Sequence, residues 1–127
     1  RLVATSSSLA PTARRYRDRM AVVAAREALV GVVAETRLAA MGAGRASVRI
    51  SSMPWTARAT VGDSTIRVVD FLGEYEVALT LNDGRTDVEL VFDALGLGRL
   101  AGQTVGFQRG DARAELVLSS YGRVRRR

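Results

Sequence analysis

Apolar residues recur at helical steps along the first third of the chain. Tyr16, Met20, Val23, Val30, Ala34, Leu38 and Met41 follow at intervals of three, four or seven, which puts them on one helix face interrupted by Glu27. Val22, Leu29, Val33 and Thr36 widen that stripe. Alanine, the best helix former, is abundant throughout. Gly31 costs about 1 kcal/mol relative to alanine in a helix interior, and small size for close packing is one reason to keep it. Residues 4–12 read as a flexible lead-in, Pro11 or Thr12 as the helix start, and Gly42 and Gly44 as its end. The expected division is therefore a lead-in over 1–11, a helix over 12–44 and a β region over 45–127. A helix of about thirty residues is near 45 Å long at 1.5 Å per residue. That is long for so small a domain, and such a helix is expected to project beyond what its own domain covers.

After Gly44 the period changes from helical to alternating. Arg45–Ser51, Trp55–Val61 and Thr65–Leu72 read as strands, the last two separated by Gly62-Asp63-Ser64. Tyr75, Val77, Leu79 and Leu81 alternate with polar or small residues, and Val88, Leu90 and Phe92 do the same after Asn82-Asp83-Gly84, a hairpin signal. Leu95-Gly96-Leu97-Gly98 reads as a loop. Thr104–Gln108 and Arg113–Ser119 form a last hairpin around Arg109-Gly110-Asp111. One long N-terminal helix followed by about seven antiparallel strands is an α+β arrangement with helix and sheet segregated in sequence.

Composition narrows the chemistry more than the fold. The chain has 127 residues, 47% of them hydrophobic and 25% charged, the profile of one folded domain. All 19 basic residues are arginine, and there is no Lys, His or Cys. A disulfide framework, a thiolate nucleophile, a zinc-finger site, a Ser-His triad, a Walker lysine and a Schiff base are thereby excluded. Carboxylates, hydroxyls and arginine remain, which points to a binding or structural module without cofactor rather than an enzyme. The charge also sits unevenly. Residues 1–19 carry Arg1, Arg14, Arg15, Arg17 and Arg19 against Asp18, and residues 123–127 carry Arg123, Arg125, Arg126 and Arg127. The 20–122 body holds ten arginines against twelve acids, so the formal +6 is two basic ends on a nearly balanced body. Basic ends suit nucleic acid, anionic lipid or an acidic partner, or simply keep a protein solvated. No stretch reaches the ~18–20 apolar residues of a membrane span or reads as a signal peptide, and a chain that starts at Arg1 reads as a processed or partial product.

The order of elements, and several segments, resemble one family. Ala24-Ala25-Arg26-Glu27-Ala28-Leu29-Val30, ending in Arg37-Leu38-Ala39-Ala40-Met41-Gly42-Ala43-Gly44-Arg45, is similar to the helix segment of the GspH/FimT pseudopilins. Phe92-Asp93 with Gly96, Thr104-Val105 with Phe107, Gly110, Leu116 with Leu118-Ser119, and Gly122-Arg123-Val124-Arg125 resemble that family's C-terminal half. Between residues 51 and 90 only the strand pattern matches. The resemblance implies a pilin-like fold and a minor pilin or pseudopilin that is a non-catalytic subunit of a type II secretion pseudopilus or a type IV pilus. It implies other minor and major pilins or pseudopilins as partners, and a place in the bacterial cell envelope. There the domain is periplasmic, held to the inner membrane by an N-terminal helix absent from this chain. Residues 12–41 would be the second half of the pilin helix, and the N-terminal arginines would lie just outside the membrane or in the filament.

The resemblance leaves two functions open. In DNA-uptake members a Gly-Arg-x-Arg motif near the C-terminus is implicated in DNA binding, and Gly122-Arg123-Val124-Arg125 matches it, with Arg126 and Arg127 extending it. Guanidinium groups fork onto phosphate oxygens and keep their charge. In an extended segment Arg123, Arg125 and Arg127 share one side, able to follow a nucleic-acid backbone without reading its sequence, with Tyr121 placed to stack on a base or pack on the sheet. Gly-Arg also occurs in secretion members, so the motif alone does not select the branch. Asp87, Glu89 and Asp93 share a polar strand face near Asp83. They lack calcium-loop spacing and have Arg85 among them, so they read as a solvated face. Gly96-x-Gly98 lacks the third glycine and following helix of a dinucleotide loop.

Overall fold

A computed structural model describes residues 11–99, 102–119 and 121–127. Its long helix, α1 (Leu2–Ala43), is followed by β1 (Arg45–Ser52), β2 (Trp55–Val61), β3 (Ser64–Asp70), a one-turn helix α2 (Phe71–Tyr75), β4 (Ala78–Leu81), β5 (Asp87–Asp93), β6 (Gly98–Arg99), β7 (Gln103–Arg109), β8 (Ala112–Leu118) and β9 (Val124–Arg126). The lead-in expected over residues 1–11 lies outside the described residues except for Pro11. Gly44, at φ 95°, ends α1 in the left-handed conformation that favours glycine, and its N–H donates to the Ala40 carbonyl at 2.7 Å. The chain passes directly into β1.

The strands form two antiparallel sheets. The first has the order β3-β2-β1-β5-β6 and the second β4-β7-β8-β9. Both lay their apolar faces against α1. Ala46, Val48, Ile50, Ala57, Ala59, Leu90 and Phe92 come from the first sheet, and Leu79, Val105, Phe107, Leu116 and Leu118 from the second, all buried. Phe71, at the start of α2, fills the space between the layers and meets Phe107 edge-on, ring centroids 5.9 Å apart. This is the α+β, pilin-like arrangement expected. Two strands beyond the expected seven or so are short ones, β6 and β9.

The helix turns a different side inward than its largest residues suggest. Val22, Ala25, Leu29, Val32, Val33, Thr36 and Ala40 are buried, whereas Tyr16, Met20, Leu38 and Met41 are 66%, 50%, 68% and 53% exposed. The two stripes have the same spacing and differ in bulk. Two sheets converging on one helix leave room for Ala and Val, not for a run of Tyr and Met. Thr36 sits in this seam because its Oγ1 donates to the Val32 carbonyl at 2.7 Å. Gly31 is not a close-packing position either. It is exposed, and a Cβ placed there would meet nothing within 4 Å.

Asn82-Asp83-Gly84 turns the chain but does not join a hairpin. β4 pairs with β7 in the second sheet and β5 with β1 in the first. The reason is local. The Asn82 carboxamide oxygen accepts from the Thr104 N–H at 3.2 Å and from Gln103 Nε2, which anchors the turn to β7. Leu72 and Tyr75 likewise belong to α2 rather than to strands. Asp70 caps that turn, accepting from the Gly73 N–H at 3.0 Å. The hairpin between β7 and β8 is as expected, with Gly110 at φ 58°.

Candidate nucleic-acid interface

The C-terminal segment is held as the edge strand of the second sheet. β9 pairs with β8 in the register Leu118↔Val124, Val117↔Arg125 and Leu116↔Arg126. The pairing extends at both ends. Ser119 N–H donates to the Arg123 carbonyl at 2.9 Å, and Glu115 and Arg127 exchange two backbone hydrogen bonds of 3.1 and 2.9 Å. Leu116 and Leu118 point into the core, so Val124 and Arg126 lie on the helix side of the sheet. Arg123, Arg125 and Arg127 lie on its outer side.

Alternation thus gives the four arginines two different jobs. Arg126 reaches α1 and grips Glu27 with both ends of its guanidinium, at 2.7 and 2.8 Å. That fork, with Arg26 at 3.3 Å, holds the Glu27 carboxyl below the usual carboxylate range and raises the Arg126 guanidinium in turn. Arg26 also donates to the Arg127 carbonyl at 3.0 Å. Arg127 pairs with Glu115 at 2.8 Å on the outer face. Arg123 and Arg125 are exposed and have no ion pair among the described residues. They line a shallow depression of about 590 Å³ with Val117, Ser119 and Tyr121, a residue 63% exposed.

Gly122 sets the start of this strand by contact. It has φ 79°, and a Cβ there would lie 2.6 Å from the Phe92 ring. Its carbonyl accepts from Arg37 Nη2 at 3.1 Å, and the Arg37 guanidinium lies 5.5 Å from the centroid of the same ring. Arg37 is the member of this site that the motif does not contain. In the sequence it is one of several charged residues along α1, at the head of the Arg37–Arg45 segment.

The polar face of β5 is built differently. Arg49, from β1, bridges Asp87 at 3.1 Å and Glu89 at 3.6 Å, and Asp93 accepts from the Leu95 and Leu97 N–H groups at 3.0 Å each. These carboxylates are engaged by an arginine and a loop. Among the described residues no group of three or more His, Cys, Asp or Glu side chains is placed to hold a metal ion, and no helix is long and apolar enough to cross a membrane.

Comparison with known proteins places the fold. No protein-family model matches the sequence, and no curated protein sequence matches it. Among solved structures the chain is similar to the type IV minor pilin FimU of Pseudomonas aeruginosa in two crystal forms. One superposes with TM-score 0.61 at 17% identity over 82% of this chain and 86% of that one. The other superposes with TM-score 0.59 at 16% identity over 82% and 90%. The likeness is one of fold, and the fold is that of a minor pilin.

Proposed function

We propose that this chain is the globular part of a minor pilin or pseudopilin, a non-catalytic subunit that assembles with other pilins in a bacterial envelope filament. The minor-pilin fold supports the reading, and the outward stripe of α1 carries it. Tyr16, Met20, Leu38 and Met41 are half or more exposed along one side of the helix. A soluble domain gains nothing from such a stripe, whereas helices of neighbouring subunits would cover it. In this reading a segment preceding the chain anchors it in the inner membrane, with the domain in the periplasm before assembly. Mixing the protein with the other minor pilins of its source tests the idea. A stable complex is expected, and Leu38→Glu with Met41→Glu should abolish it without unfolding the monomer. A protein that stays monomeric with every candidate subunit would sink the reading.

A second reading is favoured by the free arginines of the edge strand. As a subunit of a DNA-uptake pilus, the protein would bind DNA through Gly122 and the arginines at 123, 125, 126 and 127. Arg123 and Arg125 are the pair open to a phosphate, whereas Arg126 and Arg127 are engaged with Glu27 and Glu115. The measurement is a DNA titration at two salt concentrations. Loss of both Arg123 and Arg125 should weaken binding and flatten its salt dependence, by about 0.9 in log–log slope per contact for duplex DNA. Unchanged affinity and slope would rule out this role.

A further inference from the structure

The outer face of the second sheet carries more unpaired positive charge than the C-terminal motif alone. β7 and β8 pair with Gln108 opposite Arg113, Gly106 opposite Glu115 and Thr104 opposite Val117. Phe107 and Ala114 point inward, so Arg113 stands on the outer face with Gln108. Arg113 is exposed and has no ion pair among the described residues. Along the β8–β9 edge the guanidinium groups therefore come in order: Arg123 beside Ser119, Arg125 beside Val117, Arg127 beside Glu115, then Arg113 on β8 itself. Successive same-face positions on a strand are about 6.6 Å apart, so the row spans roughly 20 Å. Glu115 is the acid on these strands' outer face, and Arg127 neutralises it.

The floor beside this row is low. Gly106 occupies the middle of β7, where a Cβ would collide with Thr80 Oγ1. A second depression, of about 230 Å³, is lined by Thr80, Gly106, Gln108, Arg113, Glu115 and Arg127. It continues the line of the one that holds Tyr121, Arg123 and Arg125. Small side chains, hydroxyls and a carboxamide on the floor, with cations along one rim, suit a phosphodiester strand lying flat.

We infer that a single strand of DNA lies along the β8–β9 edge of this face, and that Arg113 supplies its phosphate contact at the end opposite Tyr121. The inference rests on the DNA-binding reading and extends its site beyond the C-terminal motif. The spacing of the arginines suits successive phosphates of an extended strand, and the exposed tyrosine at one end offers a stacking surface. The outer face of the first sheet differs in that acids are interleaved with its arginines: Arg49 is held by Asp87 and Glu89, and Arg45 stands opposite Asp93 in the β1–β5 register.

The test is a titration of the whole chain with a short single-stranded oligonucleotide, and with the same sequence as a duplex, over a range of salt. Arg113→Gln should weaken single-strand binding about fivefold near 0.1 M salt and flatten the log–log slope by about 0.7. Arg58→Gln, on the outer face of the first sheet, removes the same charge and should change neither. If the double variant Arg123→Gln, Arg125→Gln loses binding while Arg113→Gln binds like wild type, the extended site is overturned and the motif reading stands. Equal losses in Arg113→Gln and Arg58→Gln would mean a net-charge effect and overturn it as well. Preference for the duplex would overturn the single-strand assignment. No binding by wild type would remove both the inference and the reading beneath it.

Discussion

Arg37 and Gly122, 85 positions apart, meet through a 3.1 Å hydrogen bond from the guanidinium to the glycine carbonyl, and both rest on the Phe92 ring. The contact joins the end of α1, β5 and the start of the C-terminal strand. It explains why a glycine precedes the arginines: the position needs a left-handed backbone, and Phe92 leaves no space for a side chain.

Gly122→Ala should therefore destabilise the fold by roughly 2–4 kcal/mol, the sum of a left-handed alanine and an overpacked contact. Denaturant unfolding measures it. A change below about 0.5 kcal/mol would show that the segment shifts freely and that Arg37 does not fix it.

The two stripes of α1 make opposite predictions. Leu29→Ala should cost about 2–5 kcal/mol, because Leu29 is fully buried. Leu38→Ala should change the stability of the isolated chain by no more than about 0.5 kcal/mol, since Leu38 is 68% exposed. Similar losses in the two variants would contradict the inward orientation of the helix.

Gly31→Ala should stabilise the isolated chain by about 0.5–1 kcal/mol, through helix propensity alone. Thermal unfolding of the two proteins side by side is sufficient. A destabilised variant would mean that the position is enclosed.

The Glu27–Arg126 fork predicts a pH signature. Glu27 has a lowered pKa, first through its hydrogen bonds with Arg126, so the folded state binds this proton less readily than the unfolded state. Its contribution is complete above the ordinary glutamate range. It shrinks as pH falls through that range and is gone below the lowered value. Wild type should thus exceed Glu27→Gln in stability near neutral pH, and the two should converge in acid. A gap that persists unchanged at low pH would show that the pair does not stabilise through ionisation.

The element types were largely legible because period and turn chemistry are local properties. The helix, its Gly44 stop, β2 and the β7–β8 hairpin follow from spacing and glycine alone. Sidedness of α1 did not, because Tyr16-Met20-Leu38-Met41 and Val22-Leu29-Val33-Thr36 are both regular stripes. The choice between them depends on how closely two sheets approach, which no single segment encodes. Asn82-Asp83-Gly84 misled for a related reason. The turn is real, but its partner is Thr104 on β7, twenty-two positions away. In the candidate site, the motif and the outward alternation of Arg123 and Arg125 could be read directly. That Arg126 and Arg127 are engaged with Glu27 and Glu115, and that Gly122 leans on Arg37 and Phe92, required the tertiary contacts.

The sheet order has a consequence for how the molecule comes apart. The first sheet takes β1, β2, β3, β5 and β6, and the second takes β4, β7, β8 and β9, so the two are interlaced along the chain. No cut through the polypeptide separates one from the other, because β4 of the second sheet lies between β3 and β5 of the first in sequence. The pairings of β1 with β5 and of β4 with β7 wait on distant partners, which slows folding. The two sheets are therefore expected to unfold together in one cooperative transition, rather than one after the other.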